Sequence, residues 1–178
     1  MYARALVVSL ALLASSTAQA QLLPSPPKPG KETMALAPLV GAKKRAGQKR
    51  PPMVPPVDFT GTFTCGWTAG ELWLACDIDD VPKGGTLPRF RAHLIVGWDF
   101  QAKAYRGYLA STQGGGLVFT GQARDGKLVL ESDDFNTPMG KMRARWTFDL
   151  RDPKAIQFTD ERSMNGMPFF QLENSALR

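Results

Sequence analysis

From Phe59 onward apolar and polar residues alternate in short runs, and no stretch keeps the three-to-four-residue spacing of an amphipathic helix. The alternation predicts nine strands, at 59–67, 71–78, 89–98, 103–111, 117–123, 127–132, 141–150, 155–163 and 167–175. Turn chemistry separates them: Pro82-Lys83-Gly84-Gly85, Gly114-Gly115-Gly116, Asp125-Gly126, Asp152-Pro153 and Asn165-Gly166. Loops this short join neighbours, so the strands pair in sequence order as an antiparallel up-and-down meander. An open sheet of that width would leave two strand edges in water, and closure removes them. The expected fold is therefore all-β, a meander of about nine strands closing into a lipocalin-like (calycin-like) barrel.

The same alternation assigns faces. Phe59, Phe63, Cys65 and Trp67 share one side of the first strand, and Leu72, Leu74, Cys76 and Ile78 share one side of the second. In the third strand Phe90, Ala92, Leu94, Val96 and Trp98 oppose Arg91 and His93. In the seventh, Met142, Ala144, Trp146, Phe148 and Leu150 oppose Arg143 and Arg145. A two-residue type II′ turn at Gly70-Glu71 sets Cys65 directly across from Cys76, on the inward face of both strands. In oxidising surroundings that register predicts a Cys65–Cys76 disulfide. At the last hairpin a two-residue turn at Asn165-Gly166 would oppose Phe158 to Glu173 and mix the faces. A three-residue loop, Met164-Asn165-Gly166, pairs Phe158 with Leu172 instead and is preferred.

Upstream the composition changes. Arg4, the apolar run Ala5 to Ala14 and the small residues of Ala18-Gln19-Ala20 have the form of a secretory signal peptide over residues 1–20, cleaved before Gln21. That predicts an exported protein, periplasmic or secreted, with no transmembrane segment once mature. Residues 21–56 are proline-rich and lack aromatics, which predicts a disordered Pro/Lys-rich basic linker ahead of a barrel domain at 57–178. The chain's net charge of +6 resides largely in this stretch, where Lys28, Lys31, Lys43, Lys44, Arg45, Lys49 and Arg50 face Glu32 alone. The domain itself is near neutral, which gives nucleic acid nothing to bind. The basic stretch serves either as a solvated spacer or as an adhesive for an anionic envelope polymer.

One further pattern emerges in the second half of the domain. Gly97-Trp98-Asp99, then Lys103-Ala104-Tyr105, Gly114-Gly115-Gly116 and Pro138-Met139-Gly140-Lys141 occur in that order. This series resembles a bacterial domain-of-unknown-function family (number fifteen-seventy-nine) with a calycin-like barrel. The chain departs from it at Asn174-Ser175-Ala176-Leu177. The resemblance implies the barrel shape and no established activity, so it carries over no catalytic residues.

Candidate chemistry is sparse. His93 is the single histidine, it falls on the outward face, and no ligand-type residues stand around it at metal spacing. Asp77, Asp79 and Asp80 lack the glycine and later glutamate of a calcium loop and read as a solvated loop. No metal, cofactor or catalytic set is expected. What remains is an inward set of large side chains: Phe90, Leu94, Trp98, Tyr105, Trp146, Phe148, Phe158 and Phe170, with Asp160 beside them, either in water at the barrel mouth, which is preferred, or as a polar anchor inside a cavity. They line a cavity if the barrel is hollow and fill it if it is packed. The resulting expectation is an exported, monomeric, non-enzymatic barrel that binds a small apolar or amphipathic ligand. The alternative is a cell-envelope interaction protein with a packed barrel and a basic tail.

Overall fold

A computed structural model describes residues 27–178 other than Thr86. The signal sequence expected over residues 1–20 lies outside the described residues. Eleven strands run in chain order: β1 (Gly41–Lys49), β2 (Val57–Thr68), β3 (Trp73–Pro82), β4 (Phe90–Asp99), β5 (Ala104–Ser111), β6 (Gly116–Arg124), β7 (Lys127–Ser132), β8 (Phe135–Thr137), β9 (Gly140–Asp149), β10 (Ile156–Met164) and β11 (Phe170–Leu177). Every pairing is antiparallel. The order β10-β11-β1-β2-β3-β4-β5-β6-β7-β9 is closed by pairing β9 with β10, giving a ten-stranded barrel, and β8 is a short extra strand on β9.

All nine strands expected from alternation are present, and the inward faces are as read in all but the last, β11. Phe59, Phe63, Cys65, Leu74, Cys76, Ile78, Leu94, Val96, Trp146 and Phe148 are buried. The β2–β3 register opposes Cys65 to Cys76, and the two form a disulfide with Cα atoms 4.0 Å apart. The turn joining those strands is not type II′, however. Ala69, Gly70 and Glu71 all adopt positive φ, at 49°, 68° and 65°, whereas type II′ requires a negative φ at its second central residue.

The linker expected over 21–56 is overturned for its described part. Lys31–Met34 forms one helical turn, α1, and Ala37–Leu39 a 3-10 turn. Together they bury Thr33, Leu36 and Leu39 completely. Leu36 and Leu39 join the same apolar cluster as Phe63, Leu74 and Leu94, so this segment caps one end of the barrel. The chain then enters β1, which lies between β2 and β11 and completes the wall. Apolar alternation missed β1 because its inward side carries Lys43, Arg45, Gly47 and Lys49 in place of hydrophobes. Gly47 is required there: a Cβ would lie 2.2 Å from the Asn174 carbonyl oxygen and 2.5 Å from Ser175 Cβ.

The final hairpin is corrected as well. The turn is the two-residue one, with Met167 N–H donating to the Met164 carbonyl at 3.0 Å and Asn165 and Gly166 at φ 51° and 78°. The faces stay matched because the ladder slips as it leaves the turn. Arg162 pairs with Phe170, and past a bulge between Asp160 and Glu161, Asp160 pairs with Glu173 and Phe158 with Ser175. Glu173, Ser175 and Leu177 therefore face the interior, and Phe170 stays half-exposed.

Candidate functional site

The two ends of the barrel differ. At the capped end the interior is solid. Tyr105 is buried under α1, donates its phenolic hydroxyl to the Glu32 carbonyl at 2.8 Å and meets Trp98 edge-on with ring centroids 5.1 Å apart. Burial, then the nearby Glu32 carboxylate, raises the Tyr105 hydroxyl's pKa above its usual value. Leu94 and Phe148 sit in packed apolar surroundings in the middle of the barrel.

Towards the other end the packing gives way to a pocket of about 530 Å³. Its rim comes from Pro51 after β1, Leu87 and Pro88 before β4, the β5–β6 loop at Gln113–Gly116 and the β8–β9 hairpin at Asn136–Pro138. Phe90, Leu109, Leu117, Phe135, Met142, Trp146 and Phe158 supply its apolar wall. Of the nine residues expected to line a cavity, Phe90, Trp146, Phe158 and Asp160 do. Leu94, Trp98, Tyr105 and Phe148 belong to the packed part, and Phe170 lies outside the pocket. Tyr105 is thus at the end opposite the opening, because the cap covers the end where it was expected to meet a ligand.

The floor of the pocket is polar, which alternation alone did not suggest. Arg45 Nη1 donates to both carboxylate oxygens of Asp80 at 3.1 Å, and Nη2 donates to Glu173. Lys49 Nζ lies 2.8 Å from Asp80 Oδ2 and 3.8 Å from Glu173 Oε2. Ser175 Oγ donates to Glu173 Oε1 at 2.9 Å. The cations also rest on aromatic faces, Arg45 over Phe158 at 4.8 Å and Lys49 over Phe59 and Phe90 at 4.8 Å each. A separate pair sits on β10, where Arg162 Nη2 donates to Asp160 Oδ2 at 2.6 Å. Three cations (Arg45, Lys49, Arg162) thus balance three carboxylates (Asp80, Asp160, Glu173).

Asp160 is buried in the floor and does not stand in water at a mouth. Burial above all, aided by the Glu173 charge and opposed by Arg162 and a hydrogen bond from Trp146, pushes its pKa up to about 6. Trp146 and Asp160 are cross-strand neighbours, and the Trp146 indole acts on the Asp160 carboxyl.

The outer face accounts for the other titratable candidates. His93 points outward, with Nδ1 2.8 Å from Asp77 Oδ1. Asp77, Asp79 and Asp80 do not form a loop. They lie on β3, where Asp77 and Asp79 face out, Asp79 paired with Arg89, and Asp80 faces in. Among the described residues no group of three or more His, Cys, Asp or Glu is arranged to hold a metal ion, and no helix is long and apolar enough to cross a membrane.

No family model and no curated protein matches the chain. The fold is similar to that in the crystal structure of Rv2717c from M. tuberculosis, with a TM-score of 0.59 and 13% identity, over 84% of this chain and 97% of that one. At that identity the likeness concerns the barrel alone.

Proposed function

We propose that this chain is an exported, non-enzymatic barrel that acts as a monomer and holds a small amphipathic molecule in its open end. The observation that carries this reading is an open pocket of about 530 Å³ with an apolar wall and a floor of charged side chains, Arg45, Lys49, Asp160, Arg162 and Glu173. That volume falls in the range of small-molecule sites, and a few placed polar groups in an apolar wall are what fixes a ligand's orientation. The titratable groups of the floor are engaged with one another, which suits holding a ligand better than transforming one. Export is supported by the disulfide between Cys65 and Cys76 and by the signal-like form of residues 1–20.

The adhesive-tail alternative has less to draw on, because Arg45 and Lys49, two of its seven cations, face the interior and are paired with Asp80 and Glu173. The test is a titration of the purified protein with amphiphiles, followed by tryptophan fluorescence and compared with Trp146→Phe. Saturable quenching that shrinks in the variant supports the reading, and no binding to any amphiphile overturns it. Export is checked by fractionating cells that make the full chain and titrating the thiols of the recovered protein. A cytoplasmic protein with two free thiols would refute it.

A further inference from the structure

We infer that the open end of the barrel docks on an anionic phospholipid bilayer through two loops of its rim, residues 50–56 between β1 and β2 and residues 83–89 between β3 and β4. Docking needs no ligand; that the bilayer supplies the pocket's amphiphile rests on the ligand-binding reading.

Met53 is a residue that folding does not explain. Pro51 to Val54 closes a turn, with Val54 N–H donating to the Pro51 carbonyl at 3.4 Å, and Met53 fills its third position at φ 64°. Glycine or asparagine adopts that left-handed conformation at least cost, and a long apolar side chain offsets the strain only if it is buried. Met53 is 102% exposed, so nothing in the chain covers it. Val54 beside it is exposed as well, and Leu87 of the second loop lines the pocket mouth. Further round the same end, Met139 and Met167 stand exposed. At the capped end the strand-joining turns expose Phe100 alone among large apolar side chains, and Met34 projects from α1. Single exposed apolar residues are ordinary, but several on the loops that ring a pocket mouth mark a contact surface.

The charges of the two loops name the partner. Residues 50–56 and 83–89 carry Arg50, Lys83 and Arg89 and no acid. Arg89 is paired with Asp79, whereas Arg50 and Lys83 are exposed and make no salt bridge with a described residue. The other acid on the adjoining strands at this end, Asp58, accepts from Gln48. Asp133 and Asp134 lie on the far side of the barrel, after β7, where Asp134 is tied to Lys141 and Arg143. A bilayer meets both features at once: its acyl boundary takes Met53 and Val54, and its anionic heads take Arg50 and Lys83. Separate apolar tips between prolines can enter a lipid interface, whereas a stable protein partner needs a continuous face of about 800 Å².

The experiment is co-sedimentation of the protein recovered from cells that make the full chain with vesicles of phosphatidylcholine, with and without phosphatidylglycerol. The protein should bind the vesicles that contain phosphatidylglycerol, and added salt should weaken that binding. Met53→Asn suits the turn, so it should melt no lower than wild type while binding roughly tenfold more weakly, the effect of one buried apolar side chain lost. The double variant Arg50→Gln, Lys83→Gln should bind the anionic vesicles roughly twentyfold more weakly, about fivefold for each cation. Phe100→Ser, at the capped end, should bind like wild type. Wild type that stays in solution with both kinds of vesicle overturns the inference. So does Met53→Asn or the double variant binding like wild type, or Phe100→Ser losing as much as Met53→Asn. Amphiphile titration in solution tests the ligand-binding reading separately, and its failure beside intact vesicle binding removes the bilayer as a source of ligand while leaving the docking.

Discussion

Asp160 and Trp146 face each other directly across the β9–β10 ladder, and the Trp146 indole is one of the groups that hold the Asp160 carboxyl's pKa down against its burial. Strand alternation brought both side chains inward, and the same geometry placed a carboxyl where water is scarce. Its pKa of about 6 stands above the ordinary carboxylate value of 3.8. The folded protein thus holds a proton that the unfolded chain releases, and folding stability changes with pH as a result.

Between about pH 4 and pH 6 the folded state binds more protons at this site than the unfolded state does. Stability from Asp160 is therefore fully present below pH 4 and is lost as pH rises to 6, a change on the order of 3 kcal/mol. Urea denaturation across that window should show the slope in the wild type and a flatter one in Asp160→Asn. Equal slopes would mean that Asp160 titrates like an exposed carboxyl.

The disulfide makes a second prediction. Cys65 and Cys76 are separated by 11 residues, so their bond closes a short loop and its entropic contribution is about 3 kcal/mol. The double variant Cys65→Ser, Cys76→Ser should lose about that much in denaturant unfolding while keeping the same barrel, since the register also rests on β3's pairing with β4. Unreduced, denatured wild type should show no free thiol.

How much of this was visible in the sequence depends on where burial coincides with hydrophobicity. The nine alternating segments, the inward positions of Phe90, Trp146 and Phe158 and the register of Cys65 on Cys76 were all legible, because apolar residues fall on the buried side of those strands. β1 was not legible. Its inward Arg45 is neutralised only by Asp80, 35 residues on, and Glu173, 128 residues on, and no local pattern reports partners so distant. The cap at Leu36 and Leu39 was missed because one helical turn is too short to show a period. The slipped ladder of β10 and β11 was missed because a bulge changes which face follows, so Glu173 replaced Phe170 inside. The polar floor of the pocket was invisible for all three reasons together.

Truncation separates the barrel from its approach. A chain beginning at Val57 lacks β1 and leaves β2 and β11 with open edges, so it should fail to fold or should aggregate. A chain beginning at Val40 keeps β1 but loses Leu36 and Leu39, which are completely buried in the cap. It should fold with a loss of about 3–6 kcal/mol, from two leucines at about 1.5–3 kcal/mol each. Thermal unfolding of both chains checks this. Unchanged melting of the chain from Val57 would show that the barrel closes without β1.

Arg45 holds the floor together from within that strand. It is 4% exposed, donates to both oxygens of Asp80 and to Glu173, and lies over the rings of Phe59 and Phe158. Replacing it by Met keeps most of the side-chain volume but leaves Lys49 as the one cation on two buried carboxylates. The loss should be about 3–5 kcal/mol, the cost of an uncompensated buried charge. Adding Glu173→Gln to Arg45→Met removes one of those carboxylates, so the double variant should recover a large part of the loss. Its cycle energy should be far from zero, because the two side chains share a hydrogen bond. If Arg45→Met alone costs no more than a surface substitution, about 0.5 kcal/mol, the charge cluster does not organise the floor, and the pocket's polar end would have to be held by Asp160 and Arg162 alone.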